Sequence, residues 1–280
     1  MSVLEIIKAV FFGIVEGITE WLPVSSTGHL ILLDEFVQLK QSDDFKEMFN
    51  VVIQLGAIMA VVILYWKQIF PFSFKEKPAI KKDIFSLWFK ILTACIPAAV
   101  IGLLFDEVFE KYFYNPFCVA IALIVIGALF IWLESRNNSK EARVNSLSDI
   151  TYKDAILIGV FQLIAAIFPG TSRSGSTIMG GLVLGISRSV IAEFTFFLAI
   201  PVMFGASLLK IVKYGFDFTG SQVIILVTAM IVAFVVSVVV IRFLMGYIKK
   251  HDFKVFGWYR IVLGALVLLY FVFIKNQIFA

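Results

Sequence analysis

Two groups of side chains able to do chemistry stand out against an otherwise apolar sequence. Glu16 and Glu20 precede Pro23-Val24-Ser25-Ser26-Thr27-Gly28-His29, and Gln162 precedes Pro169-Gly170-Thr171-Ser172-Arg173-Ser174-Gly175-Ser176. The two glutamates are four residues apart, which puts them on one helix face, a turn before Pro23. Stacked carboxylates disfavour each other's ionisation unless a proton or a cation joins them. A shared proton, a divalent metal on Glu16 and Glu20, and a general base are the roles open to such a pair. Ser25, Ser26 and Thr27 supply hydroxyls, Gly28 a flexible link and His29 an imidazole, just ahead of an apolar run. Hydroxyl residues there cap a helix, and the free amides and positive dipole end of a helix start also bind anions. Arg173 adds a planar fork that grips phosphate bidentately, flanked by Thr171, Ser172, Ser174, Gly175 and Ser176 as a second cradle. A phosphate site accounts for this combination better than a purely structural ion pair of Arg173 with Glu16 or Glu20. The sequence has no Walker loop, so it is no nucleotide motor.

The elements that position these groups must lie in lipid. Of 280 residues 60% are hydrophobic and only 16% charged, against about 25% charged in ordinary soluble domains. At about 20 apolar residues per span, the chain supplies at most about eight spans. A soluble enzyme, a disordered chain, a secreted disulfide scaffold and a nucleic-acid binder are excluded. Cys95 and Cys118 sit in apolar runs and read as small buried hydrophobes. The N-terminal stretch carries Glu16 and Glu20 and is not expected to be a cleavable signal.

Apolar runs fall at 3–22, 30–39, 49–66, 88–105, 117–133, 154–168, 176–186, 190–209, 222–241 and 255–274. The runs at 30–39, 154–168 and 176–186 are too short to span, and carboxylates break the first. They form two pairs, each divided by one of the hydroxyl-rich stretches. A shift of 146 residues lays Gly13 on Gly159, Glu16 on Gln162, Pro23 on Pro169, Ser25 on Thr171, Ser26 on Ser172 and Glu47 on Glu193. Interrupted helices at corresponding places in two halves mark a site near the bilayer midplane. Irregular backbone cannot face lipid, so both breaks belong inside the bundle.

The expected fold is an all-α polytopic membrane protein, one integral membrane domain over 1–280. It contains two inverted-topology repeats, about 1–135 and 154–275, each a broken re-entrant helix pair plus three transmembrane helices. With that topology, sixteen of the 24 Lys and Arg, from Lys67 to Arg260, gather on one side and seven on the other. Arg173 is left as the one cation inside the membrane. The richer side is cytoplasmic by the positive-inside bias, so both termini and the cavity face outward.

Glu16-Gly-Ile-Thr-Glu20-Trp-Leu-Pro-Val-Ser-Ser-Thr-Gly-His29 and Pro169-Gly-Thr-Ser-Arg-Ser-Gly-Ser176 resemble the two signature motifs of the undecaprenyl-diphosphatase family, the bacitracin-resistance phosphatases. The resemblance extends through Phe49 to Ala57 and Ala192 to Pro201. It implies a bacterial plasma-membrane enzyme that removes the terminal phosphate of undecaprenyl diphosphate and so recycles the lipid carrier for peptidoglycan synthesis. It also implies a dependence on a divalent cation such as Mg or Ca. Carried over, the family's glutamate pair falls on Glu16 and Glu20, its serine-rich loop on Ser25, Ser26 and Thr27, its histidine on His29 and its arginine on Arg173. Glu20, Ser26, His29 and Arg173 are then the expected catalytic set. Glu16, Ser25, Thr27, Gly28, Gln162, Thr171, Ser172, Ser174, Gly175 and Ser176 are expected to bind the headgroup. Ser26, His29 and water remain open as nucleophile, Glu20 and His29 as base, and the oligomeric state is open too, a homodimer included. An inverted-repeat transporter or flippase for a phosphorylated polyprenyl lipid is the alternative function.

Overall fold

The structure is a computed structural model that describes residues 2–72, 80–137 and 141–274. Lys75, Lys77, Lys140 and Lys275, all used in the charge count, lie outside the described residues. The first half contains α1 (Val3–Thr19), α2 (Ser26–Phe36), α3 (Asp43–Val52), α4 (Gln54–Leu64), the single turn α5 (Trp66–Ile69), α6 (Lys82–Phe113) and α7 (Pro116–Asn137). The second contains α8 (Tyr152–Ile167), α9 (Arg173–Val183), α10 (Arg188–Tyr214), α11 (Gly220–Ile248) and α12 (Lys254–Leu269). There is no strand among the described residues, and six segments are long and apolar enough to cross a membrane. They are Asp43–Leu64, Lys82–Phe105, Pro116–Asn137, Arg188–Tyr214, Gly220–Ile248 and Lys254–Phe273, so the two broken pairs are the ones left out.

Capping side chains set the helix starts. Thr151 and Asp154 form a reciprocal capping box on α8, and Thr219 and Gln222 form another on α11. Each such cap satisfies amides that lipid cannot.

Both broken pairs close on themselves. Lys8 Nζ, near the start of α1, donates to Gln38 O at 2.5 Å, and Glu5 accepts the Lys40 amide at 3.0 Å. In the second pair, Arg143 joins Asp154 at the start of α8 to the carbonyls of Leu184 and Gly185 after α9. The two bases lie at opposite ends of α10. Arg188 follows the second base directly, whereas Lys210 pairs with Glu47 and the Tyr214 ring meets Phe45, just beyond the first base. At 1.5 Å per residue α10 is about 40 Å long, whereas α1 and α8 are each about 25 Å. Two hairpins of that length entering from opposite ends must overlap, and their tips meet inside the bundle.

The packing exchanges elements between halves. The α1 helix lies on α11 and α8 on α6, while α7 pairs with α12. Gly13 and Gly159, which coincide under the 146-residue shift, both allow a close helix crossing. A Cβ on Gly13 would strike the Ala229 carbonyl, and one on Gly159 the Ala94 carbonyl.

Candidate active site at the hairpin tips

Each hairpin turns through a short tip, 20–25 in the first and 168–172 in the second, and each tip ends on a serine in an unusual conformation. Ser25 and Ser172 both have φ of 74°, and they are the two non-glycine residues with positive φ among those described. Each caps the helix that follows: Gly28 N–H donates to Ser25 Oγ at 3.3 Å and Gly175 N–H to Ser172 Oγ at 3.1 Å. Such backbone strain is worth about 1–3 kcal/mol per residue and persists where the surroundings over-determine it. The shared geometry corrects the register of the alignment. Ser25 corresponds to Ser172, not Thr171, and Ser26 to Arg173. Between its proline and that serine the second tip holds one extra residue, Pro169-Gly170-Thr171-Ser172 against Pro23-Val24-Ser25, with Gly170 at φ of 88°.

The tips are tied together through Glu20. Its Oε2 accepts the Ser26 hydroxyl at 2.7 Å and its Oε1 accepts Arg173 Nη2 at 2.9 Å. Arg173 Nη1 donates to Thr195 O at 2.7 Å, which anchors the guanidinium to α10. Ser174 Oγ donates to Glu20 O at 3.2 Å. Two of the five Arg173 N–H groups are thus engaged in these bonds, leaving three. Glu20 and Ser26 are buried, and Arg173 is nearly so. They border a cavity of about 130 Å³ also lined by Ser25, Thr27, Gln54, Tyr114, Ala165, Gly170, Ser172 and Met203. At about 30 Å³ per water this is room for about four waters. Tyr114, between α6 and α7, and Ala206 border it toward the Lys210 end of α10. Toward the Arg188 end the rings of Trp21, Phe196, Tyr65 and Phe197 pack against one another, with centroids 5.3–6.2 Å apart, and fill the interior.

The other expected site residues lie behind this surface. Glu16 is fully buried with its carboxyl against that of Glu20, and neither of its oxygens accepts a hydrogen bond. Gln162, Ser176 Oγ, Thr171 Oγ1 and Arg173 Nε are likewise buried without a protein partner. Gly28 and Gly175 serve the caps. His29 is turned away from Ser26: its Nδ1 is 2.7 Å from Ser25 O and its Nε2 2.6 Å from Tyr259 Oη, with the two rings stacked at 5.6 Å. A carbonyl only accepts, so Nδ1 carries a proton, and Nε2 of the neutral ring accepts from the phenol.

Arg260 requires a correction. The charge count puts it on the cytoplasmic side, but it is completely buried and joins both tips, donating to Pro23 O at 3.1 Å and to Gly170 O and Thr171 O at 2.8 Å. Arg173 is therefore not the one cation inside, and the count becomes fifteen against seven, still biased the same way. The signal for it in the sequence is an ionisable residue within the apolar run 255–274, which demands a reason by itself. Arg260→Met should leave three tip carbonyls unpaired. We expect a loss of about 3–5 kcal/mol in unfolding free energy, read as an earlier unfolding transition in detergent. Retention of wild-type stability would show that the strap is idle.

The sequence matches the family described as bacitracin resistance protein BacA over residues 9–266. The chain belongs to this family. A protein of Desulfitobacterium hafniense named undecaprenyl-diphosphatase is 65% identical over 271 residues, 97% of this chain and 98% of its own length. Proteins of the same name from Acetivibrio thermocellus and Enterococcus faecalis are 61% and 60% identical, covering 97% and 96% of this chain and 100% and 98% of their own lengths. The six apolar helices and the family together make this a multi-pass membrane protein.

Proposed function

We propose that this protein hydrolyses undecaprenyl diphosphate to undecaprenyl phosphate and inorganic phosphate in the bacterial plasma membrane. This returns the lipid carrier to cell-wall synthesis and confers bacitracin resistance. The observation that carries the reading is one carboxylate, Glu20, holding a serine hydroxyl from its own hairpin and an arginine from the other at the edge of one cavity. The names of the relatives agree.

In this reading Ser26 Oγ attacks the terminal phosphorus in line, and Glu20 Oε2, 2.7 Å away, takes its proton. The remaining Nη N–H groups of Arg173 hold the phosphoryl oxygens as charge builds on them. Glu20 passes that proton to the departing lipid monophosphate, then takes one from the water that attacks the phosphoserine and returns it to Ser26 Oγ as the Oγ–P bond breaks and inorganic phosphate leaves. The bonds of His29 to Ser25 and Tyr259 favour Glu20 over it as base and suit a positioning role. Glu16, whose carboxyl lies against that of Glu20, holds its orientation.

A divalent cation fits the donor set only in part. Glu16 has two unpartnered oxygens, but no group of three or more His, Cys, Asp or Glu able to hold a metal occurs among the described residues. Glu16 and Glu20 would hold such an ion together with phosphate oxygens, the usual arrangement for Mg. The ion would supply charge neutralisation at the diphosphate.

The two halves are read as inverted repeats, with the cavity open on the outer face. Tyr114 lines it from a connection at the end poorer in Lys and Arg, and the aromatic pile lies toward the richer end. Glu20→Gln protein, with and without chelator, tests the mechanism. We expect a fall in phosphate release of at least about 100-fold for the variant, and activity that returns to wild-type protein when the cation is restored. An active Glu20→Gln protein removes Glu20 as the base. The opposed hairpins also suit a carrier, which predicts lipid binding without phosphate release.

A further inference from the structure

The polar lining of the cavity comes from the two hairpins with few exceptions, and the one inside a transmembrane span is Gln54. It is the single hydrogen-bonding side chain between Asn50 and Tyr65, and it opens α4 immediately after the interruption at Ile53. Two residues on, Gly56 presses against the Met230 backbone so closely that a Cβ there would collide with the carbonyl. Two residues are about 200° of helical turn, so Gln54 points away from α11 and into the cavity. Its amide has no hydrogen-bond partner among the described residues. An amide kept within an apolar span without a protein partner suits a ligand.

The cavity lining combines the polar Glu20, Ser26 and Arg173 with the apolar Ala165, Val202, Met203 and Ala206. A diphosphate whose terminal phosphoryl lies against Ser26 and Arg173 places its second phosphate against other lining groups of the same cavity, and Gln54 is one of them. Gln54 lines the same small cavity as Ser26 and Arg173, which puts its amide in position to meet that second phosphate. The geometry points to Gln54 as the group that reads the lipid-linked phosphate, its amide N–H donating to one of that phosphate's oxygens. A diphosphate is then gripped at both ends and a monophosphate at one, so product leaves more readily than substrate. This rests on the phosphatase reading for the placement of the terminal phosphoryl.

The test is equilibrium binding in detergent of a short-chain polyprenyl diphosphate and its monophosphate, compared in Ser26→Ala protein and in Ser26→Ala/Gln54→Leu protein. The Ser26→Ala background prevents turnover during the measurement. The expected result is a preference for diphosphate over monophosphate that falls about 10-fold with Gln54→Leu. Gln54→Glu, of the same shape but charged, lowers it further. A general loss of fold would weaken both ligands together and leave the ratio unmoved. An unchanged ratio overturns the assignment. If wild-type protein releases no phosphate but the ratio still falls, hydrolysis fails and the role of Gln54 in headgroup recognition stands.

Discussion

Purified Ser26→Ala protein is expected to release phosphate from lipid diphosphate at least about 100-fold more slowly than wild type, with substrate affinity little changed. The removed hydroxyl is buried and donates a short bond to Glu20 Oε2, so its loss takes away the attacking oxygen together with its proton acceptor's partner. A single preorganised group is worth about 10²–10³ in turnover, and a nucleophile more. The fold should tolerate the change. The cap on α2 is the work of Ser25, and the bond between Glu20 and Arg173 does not involve Ser26. The outcome to measure is therefore a fall in kcat with binding retained. Near-normal turnover would take the serine out of the attacking role and leave water or His29, although both nitrogens of His29 are already engaged.

The second large effect concerns the shape of Arg173 rather than its charge. Arg173→Lys is expected to lose about 100-fold in turnover although the positive charge remains. The guanidinium spans Glu20 Oε1 and Thr195 O and still has N–H groups to spare, which an ammonium on a flexible stem cannot match at once. Arg173→Ala loses as much activity but is a poorer probe. It leaves the Glu20 carboxylate buried without its ion-pair partner, a change that itself destabilises by about 3–5 kcal/mol. The informative comparison is Lys against wild type at equal stability, measured by single-turnover phosphate release. A lysine variant within a few-fold of wild type would mean that Arg173 acts as a point charge and does not hold the phosphoryl group in a fork.

The broken hairpins are readable from the chain because lipid leaves few alternatives for Pro- and Ser-rich backbone between short apolar runs. The expectation that they meet is carried by chemistry, since Arg173 and the glutamates need one another in an apolar interior. What escapes reading depends on contacts between distant segments. The one-residue offset between the tips arises from the left-handed turn at Gly170, which a fixed alignment shift cannot show. Arg260 reads as a cytoplasmic residue because Lys254 and the basic stretch before it suggest a solvated region, and only packing of α12 on α7 brings it to the tips. The pairing of His29 with Tyr259 joins residues 230 positions apart. Gln54 looks like one polar residue in a long apolar run, and its direction follows from Gly56 against α11.

At the centre stands one claim: two hairpin tips from opposite ends of the bundle clasp one diphosphate and break it where they meet. Its most direct test is inorganic phosphate release by the purified wild-type protein in detergent, with lipid diphosphate as substrate and no sealed bilayer present. Catalytic release is the expected result. It should be lost to a similar extent in Ser26→Ala, in Arg173→Lys and in the double variant, because groups acting on one transition state are not additive. Tight binding of the lipid with no phosphate released would contradict the claim and leave the molecule a carrier.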